Sequence, residues 1–344
     1  MRKLLNTLYI TTPKSYLSLD GENVIVRLDD EDKFRLPFIN VESIICFGYM
    51  GVSPALMGKC VDNNISLCFL NPDNGKFLAR VTGKTKGNVF LRKQQYLLSD
   101  NEEFCLDFAK EIVAAKIYNS RFLLERTIRD NREKIDTAKL VRTSEILKDS
   151  INYCYEFQSK DKLRGYEGVQ AKQYFKVFDD MILHQKEDFY FNERSKRPPL
   201  DNINCMLSYL YTILSFDIVA ALETVGLDPY VGFYHELRSG RASLAVDLIE
   251  ELRSYMVDRF VISLINLKKI NHADFFEKEG GAILMSSEGR KKILTAWQER
   301  KKEIITHPYL KEKIEVGLIP YAQAQLLARF IRGDNDEYPP FLCK

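Results

Sequence analysis

The sequence predicts an α+β fold, a small N-terminal β domain followed by a larger all-α domain. Three observations carry that expectation. Short β-branched and apolar runs alternate with turn signals through residues 1–82, and long helical periodicity with few prolines begins at about Asn88. Between them, Gly83-Lys84-Thr85-Lys86-Gly87 brackets polar residues with two glycines where the composition shifts. At 344 residues the chain is long for one hydrophobic core and comfortable for two. The expected boundaries are a β domain at 1–82, a linker at 83–87, a helical domain at 88–332 and a tail at 333–344.

Taken in order, Tyr16-Leu17-Ser18-Leu19 and Val24-Ile25-Val26-Arg27-Leu28 flank Asp20-Gly21-Glu22-Asn23 and read as a hairpin with a longer loop. Phe34–Leu36, Ile44–Phe47, Ile65–Leu70 and Phe77–Val81 continue the strands. Ser53 before Pro54 supplies a cap and a proline at the first helical position, so one short helix interrupts them. Beyond the linker, helices are expected over 103–131, 136–159, 168–184, 202–224, 242–267 and 287–304. The most apolar window, Met206 to Leu222, contains Ser208, Thr212, Ser215 and Asp217, and reads as a central buried helix rather than a membrane span. Gly333–Phe341 carries Pro339 and Pro340, breaks helix, and reads as an end that is flexible or ordered on contact.

Fifty basic residues against 48 acidic give a formal net charge of +2, so the whole-molecule field is weak and any nucleic-acid surface must be local. Cations do cluster, at Arg80, Lys84, Lys86, Arg92 and Lys93, and again at Arg194, Lys196 and Arg197. The seven cysteines form no Cys-x-x-Cys pair, and an odd number fits reduced thiols in a cytoplasmic protein. Asn6 and Thr7 interrupt any apolar run after Met1, so no export signal and no membrane association are expected.

The chemistry concentrates in residues 226–253. Gly226, Asp228-Pro229 and Gly232 favour a loop, while Leu244, Leu248 and Leu252 mark the apolar stripe of a helix whose other face carries Asp247 and Glu250. His235 can therefore converge with two carboxylates. Nitrogen and oxygen donors of this kind suit Mg²⁺ or Mn²⁺ better than a thiol-rich zinc site. A further ligand is offered by Gly165-Tyr166-Glu167-Gly168, read as the N-terminus of a helix where the macrodipole favours an ionised Glu167. His184, His272 and His307 have no accompanying acids and read as structural or surface residues, and Tyr209 and Tyr211 read as core.

These pieces resemble the CRISPR-associated spacer integrase family, CRISPR-associated protein one, over essentially the whole chain. Gly-Tyr-Glu-Gly followed by Tyr174-Phe175 resembles its first acidic motif. Arg197-Pro198-Pro199 with Asn204, Leu207-Ser208-Tyr209 and Tyr211 resembles its central helix. Gly226-Leu-Asp-Pro, Gly232, His235, Gly240-Arg241 and Ser243-Leu-Ala-x-Asp247-Leu-x-Glu250 resemble its signature segment. The Tyr-Pro-Pro-Phe tail resembles the type I-C branch. The resemblance implies metal ligands at Glu167, His235 and Glu250, with Asp247 in the catalytic set as an outer-shell or second-metal carboxylate. It implies a homodimer joined through the β domain, a bridging dimer of the small CRISPR-associated protein two, and double-stranded DNA fragments and CRISPR repeat DNA as partners.

The family joins a 3′-hydroxyl of a captured fragment to a repeat phosphodiester by transesterification. A divalent ion serves both needs of that reaction, activating an oxygen nucleophile and offsetting charge on the phosphoryl group. His235 must be neutral to act as a ligand, so acid weakens metal binding. Arg238, Arg241 and Arg253 supply guanidinium forks for phosphate, with Arg253 also placed as an intrahelical partner of Glu250. Arg80, Lys84, Arg92, Lys93, Arg290 and Lys291 are candidate duplex contacts. A plain metal-dependent nuclease using water, and a helical DNA-binding scaffold without chemistry, are the competing readings.

Overall fold

The structure, a computed structural model, describes residues 6–29, 31–48, 50–63, 65–71, 77–83, 89–133 and 136–344. It divides into two compact units. The first comprises residues 1–86, 284–305 and 314–318, and the second 87–283, 306–313 and 319–344. The α+β class holds, with strands first and helices after. The expected linker lies largely outside the described residues. The helix expected at 287–304 belongs to the strand-bearing unit and not to the helical one.

In the first unit, one sheet runs in the order β1 (Thr7–Ile10), β5 (Ser43–Phe47), β7 (Ser66–Leu70), β8 (Phe77–Val81). β1, β5 and β7 are mutually parallel, and β8 pairs antiparallel with β7. The other sheet has the order β4 (Glu31–Pro37), β3 (Asn23–Leu28), β2 (Tyr16–Asp20), β6 (Gly51–Val52). β2 and β3 pair from Leu17–Val26 down to Asp20–Asn23, so the turn between them is tighter than the expected loop, with Gly21 at φ +56°. Leu17, Val24, Ile44, Leu56 and Leu67 are fully buried in the shared core. The one early helix, α1 (Pro54–Asp62), is capped by Ser53, whose Oγ accepts from the Leu56 N–H at 3.2 Å. α9 (Ser287–Lys301) packs on β1 in this unit, where the Gln298 side chain donates to the Thr7 carbonyl at 3.1 Å.

The helical unit is built around α3 (Glu102–Asn131), which contacts α4 (Ala138–Tyr153), α5 (Lys160–Lys176) and α7 (Ser243–Arg253). α6 (Asn202–Val225) is long and apolar enough to cross a membrane by length and composition, yet it packs on α7 and on α10 (Ile319–Arg332) with most of its apolar window inside the protein. Gly226 ends α6 in the left-handed region at φ 89°. The helix expected over 242–267 is interrupted: α7 passes into a π-helical turn at Ser254–Asp258 before α8 (Arg259–Asn266). α5 begins at Lys160, earlier than the expected 168, and α2 (Val89–Ser99) and α10 are additional.

The tail is ordered by contact. Tyr338 Oη donates to Glu251 Oε1 at 2.5 Å, the Phe341 N–H to Oε2 at 2.6 Å, and the Gln323 amide reaches both oxygens. On α3, the Asn119 amide donates to the Glu251 and Phe341 carbonyls at 2.7 Å each, and the Cys343 N–H donates to Asn119 Oδ1. Tail, α3 and α7 are thus fastened at one polar knot inside an apolar core. His307, fully buried, completes it: its Nε2–H donates to Gln323 Oε1 while Nδ1 accepts from the Tyr309 and Leu310 N–H groups. His272 is exposed.

Burial raises the Glu251 carboxyl from 4.5 to about 7, against the opposing pull of the Tyr338, Phe341 and Gln323 hydrogen bonds. Because this folded-state value lies above the unfolded one, the stability Glu251 contributes is complete below about pH 4.5 and is lost as pH rises through about 7. The change over that window is up to about 3 kcal/mol. Calorimetric unfolding across this range should show Glu251→Gln with a flatter stability profile than the parent chain.

Candidate active site

The loop between α6 and α7 carries His235, and its shape is dictated by Asp247. That carboxylate is fully buried and accepts the backbone N–H groups of Phe233 (2.8 Å), Tyr234 (3.0 Å) and His235 (2.9 Å), and in addition His235 Nδ1–H at 2.8 Å. Both oxygens are consumed in this way, so Asp247 is an orienting group rather than a ligand. The bond fixes the His235 tautomer and leaves the Nε2 lone pair available. The loop is held from two other sides. Gln95 of α2, fully buried, donates to the Asp228 and Val231 carbonyls and accepts from the Asp228 N–H. Arg164 of α5 donates to the Tyr234 carbonyl at 3.2 Å and pairs with Glu236.

Gly232 permits the close approach. A Cβ there would lie 2.7 Å from Asp247 Oδ2 and 2.8 Å from the Leu244 nitrogen, so any side chain drives the loop off the start of α7.

Glu250 follows Asp247 on α7 by almost one turn, and Glu167 stands in the middle of α5, not at the helix N-terminus that the flanking glycines suggested. The two carboxylates meet on one cation. The Lys116 ammonium of α3 donates to Glu167 Oε1 and lies 2.5 Å from Glu250 Oε2. Arg253 pairs with Glu250 at 2.8 Å, and its guanidinium lies 4.5 Å from the centre of the Tyr211 ring. Burial alone would raise the Glu250 carboxyl, but Arg253 and Lys116, with His235 close enough to add to them, hold it well below the usual carboxylate range.

Among the described residues, no group of three or more His, Cys, Asp or Glu side chains closes into an ion cage. The structure brings Glu167 and Glu250 together through Lys116, and sets His235 beside Glu250. The donor set nonetheless fits a hard divalent ion: two carboxylates, one imidazole nitrogen oriented by a carboxylate, and a cation already seated between the carboxylates. Tyr234 supports the same fit. Its hydroxyl is buried without a hydrogen-bond partner, and burial together with the Glu167 and Glu250 charges raises its pKa.

Beneath this layer, Asp258 in the π-helical turn accepts from the hydroxyls of Tyr174 (3.0 Å) and Tyr211. Arg194 lies 5.6 Å from the Tyr211 ring centre and donates to Asn204 and Ser208. The Lys196 ammonium is pushed down in pKa first by withdrawal from water and then by Arg253 and Arg194, with the Glu250 charge acting against them. Of the expected phosphate contacts, Arg253 is in the site. Arg238 instead pairs with Glu236 and is mostly exposed, and Arg241 is part-buried at the loop's end. Arg80, Arg290 and Lys291 belong to the strand-bearing unit, Arg92 and Lys93 to α2, and Lys84 lies outside the described residues.

Residues 8–299 match the family described as CRISPR associated protein Cas1. The chain belongs to this family of CRISPR-associated endonucleases. It is 46% identical over 344 residues to the CRISPR-associated endonuclease Cas1 1 of Chlorobaculum tepidum, with both chains covered in full. Among solved structures, its fold is similar to a Cas6-RT-Cas1–Cas2 complex, with TM-score 0.82 and 24% identity over 98% of this chain and 36% of that one. It is also similar to a casposase bound to integration product, with TM-score 0.80 and 24% identity over 96% and 92% of the two chains. In this member of the family Glu167 and Glu250 meet on Lys116, and His235 is held by Asp247.

Gly232→Ala should cost about 1–3 kcal/mol through overpacking and should release His235 from its orientation. Thermal unfolding measures the first effect. A loss of Mn²⁺ binding larger than the loss of stability accounts for would mark the second.

Proposed function

We propose that this chain is a metal-dependent DNA integrase and endonuclease of CRISPR adaptation, joining 3′-hydroxyl ends of captured fragments to the CRISPR repeat by transesterification. The observation that carries the reading is the meeting of Glu167 and Glu250 on a single cation, with His235, oriented by Asp247, near enough to act on Glu250. Glu167, Glu250 and His235 Nε2 would hold Mg²⁺ or Mn²⁺. The bound ion supplies Lewis acidity and lowers the pKa of an oxygen nucleophile.

The protein's own groups do the rest. Asp247 holds the imidazole in one tautomer and one direction, through a bond from Nδ1–H that stays out of the reaction. Arg253, with Lys196 and Arg194 near it, is a cationic surface for non-bridging phosphate oxygens, and Arg253 is aligned by its stacking on Tyr211. Arg238, Arg241, Arg92 and Lys93 are proposed as further DNA contacts of the helical unit, and Arg80, Lys84, Arg290 and Lys291 as DNA contacts of the other unit. The partners proposed are double-stranded fragments, repeat DNA, a second copy of this chain through the β unit, and a Cas2 dimer, in the cytoplasm. The chain shares its fold with a casposase bound to integration product and with a Cas1-containing complex that includes Cas2.

A labelled duplex with free 3′-hydroxyls, incubated with repeat-bearing plasmid and Mg²⁺ or Mn²⁺, should become covalently joined to the plasmid. Cleavage without joining would leave a nuclease using water. Glu167→Gln, His235→Ala and Glu250→Gln should bring both reactions to background while DNA binding survives, and unchanged reactions in all three would reduce the chain to a scaffold. Asp247→Asn should weaken metal affinity by about ten- to a hundredfold.

A further inference from the structure

We propose that Lys116 is the resident counter-cation of the active site, and that a divalent ion must displace its ammonium from Glu167 and Glu250 to bind. The inference rests on the metal-binding reading given above. Lys116 Nζ hydrogen-bonds Glu167 Oε1 and lies 2.5 Å from Glu250 Oε2. Those oxygens are the donors that Mg²⁺ would take at about 2.0–2.1 Å. Ammonium and ion therefore compete for the same lone pairs.

Charge leads to the same conclusion. The carboxylates of Glu167 and Glu250 are already matched by the two cations that pair with them, Lys116 and Arg253, and Lys196 adds further positive charge nearby. Adding a dication without losing a cation would leave excess positive charge in a poorly screened interior. Of the two cations, Lys116 is the one able to leave. Arg253 is planar, packed on Tyr211 and bonded within its own helix, whereas lysine carries a compact charge on a flexible four-carbon stem.

The backbone of α3 does not follow the side chain. Asn119, less than a turn beyond Lys116, is bonded to the Glu251 and Phe341 carbonyls, so displacement is a rotation of one side chain. Lys116 has two opposed effects. It keeps Glu167 and Glu250 side by side against their mutual repulsion before metal arrives, and it weakens the affinity with which they take the metal. Lys116 is a positioning residue, acting through the two carboxylates.

The test is Mn²⁺ titration of the full chain followed by electron paramagnetic resonance, using the parent, Lys116→Met, Lys116→Arg and Glu250→Gln. Lys116→Met should bind Mn²⁺ roughly tenfold tighter or more, melt lower than the parent without metal, and regain the difference at saturation. Lys116→Arg, which retains the charge, should stay near the parent. Binding by Lys116→Met that is equal to or weaker than the parent's overturns the proposal. Absence of any Mn²⁺ binding that Glu250→Gln removes overturns the metal-site reading itself, and this inference with it. Should Lys116→Met fail to fold, the parent chain labelled with ¹⁵Nζ-lysine decides the matter. The Lys116 ammonium signal, assigned from Lys116→Arg, should change on adding Mg²⁺, and an unmoved signal under saturating Mg²⁺ sinks the idea.

Discussion

The Asp247 carboxylate is the constraint on which the rest of the site depends. Three successive backbone N–H groups and one imidazole converge on its two oxygens, inside a pocket that admits no side chain at Gly232. A loop with three glycines and one proline has no ladder or helix of its own to satisfy those donors. A buried carboxylate satisfies them together, because an ionised acceptor makes stronger bonds than a carbonyl and can take several at once. Since Asp247 sits in the first turns of α7, the loop is registered against the same helix that carries Glu250. His235 and Glu250 therefore reach the site as one rigid unit, and only Glu167 and Lys116 come from other helices.

Four buried acids lie between positions 247 and 258, and each is accommodated by a different means. Asp247 takes backbone donors, Glu250 is compensated by Lys116 and Arg253, Glu251 is enclosed by the tail, and Asp258 is bonded by two phenols. The electrostatic outcomes differ accordingly. Cations drive Glu250 far toward its ionised form, whereas burial raises Glu251, which has only neutral donors, and raises Asp258 even against Arg253 and its two phenols. The acid held most strongly ionised is the one proposed to bind metal. Its neighbour, held near neutrality, is where the C-terminal segment docks. Neighbouring positions on one helix thus do opposite work because one faces cations and the other faces amides and hydroxyls.

Much of this was legible in the sequence, and the gaps have physical causes. The strand runs, the Ser53-Pro54 cap and the long helices follow from local periodicity, and His235, Asp247 and Glu250 stand out because a turn-rich loop precedes an amphipathic helix. Glu167 was visible as a residue but misplaced within its helix, because two flanking glycines signal a boundary locally while α5 is held by packing on α3 and α4. Lys116 was missed altogether. Its signal was present: it lies with Ile112, Asn119 and Leu123 on the buried stripe of α3, where a charged side chain needs a buried partner. That partner is remote in the chain, which helical periodicity cannot reveal. The tail was left open between flexible and ordered on contact for a related reason, since prolines exclude helix but do not say that Tyr338 and Phe341 have a carboxylate waiting in the core.

The π-helical turn at Ser254–Asp258 reconciles the demands of core and site. Leu244, Leu248, Leu252, Met256, Phe260 and Leu264 are all buried, a strict four-residue repeat. On an α-helix of 3.6 residues per turn such a repeat drifts by about 40° at each step and would carry the stripe away from the core within a few turns. A turn with i→i+5 bonding is wider, and rotates the chain back. The turn itself packs on α3 and α6, and Asp258 is delivered to Tyr174 and Tyr211. The irregular turn lies immediately after Arg253, where the buried charges and the hydrophobic core meet on the same stretch of chain.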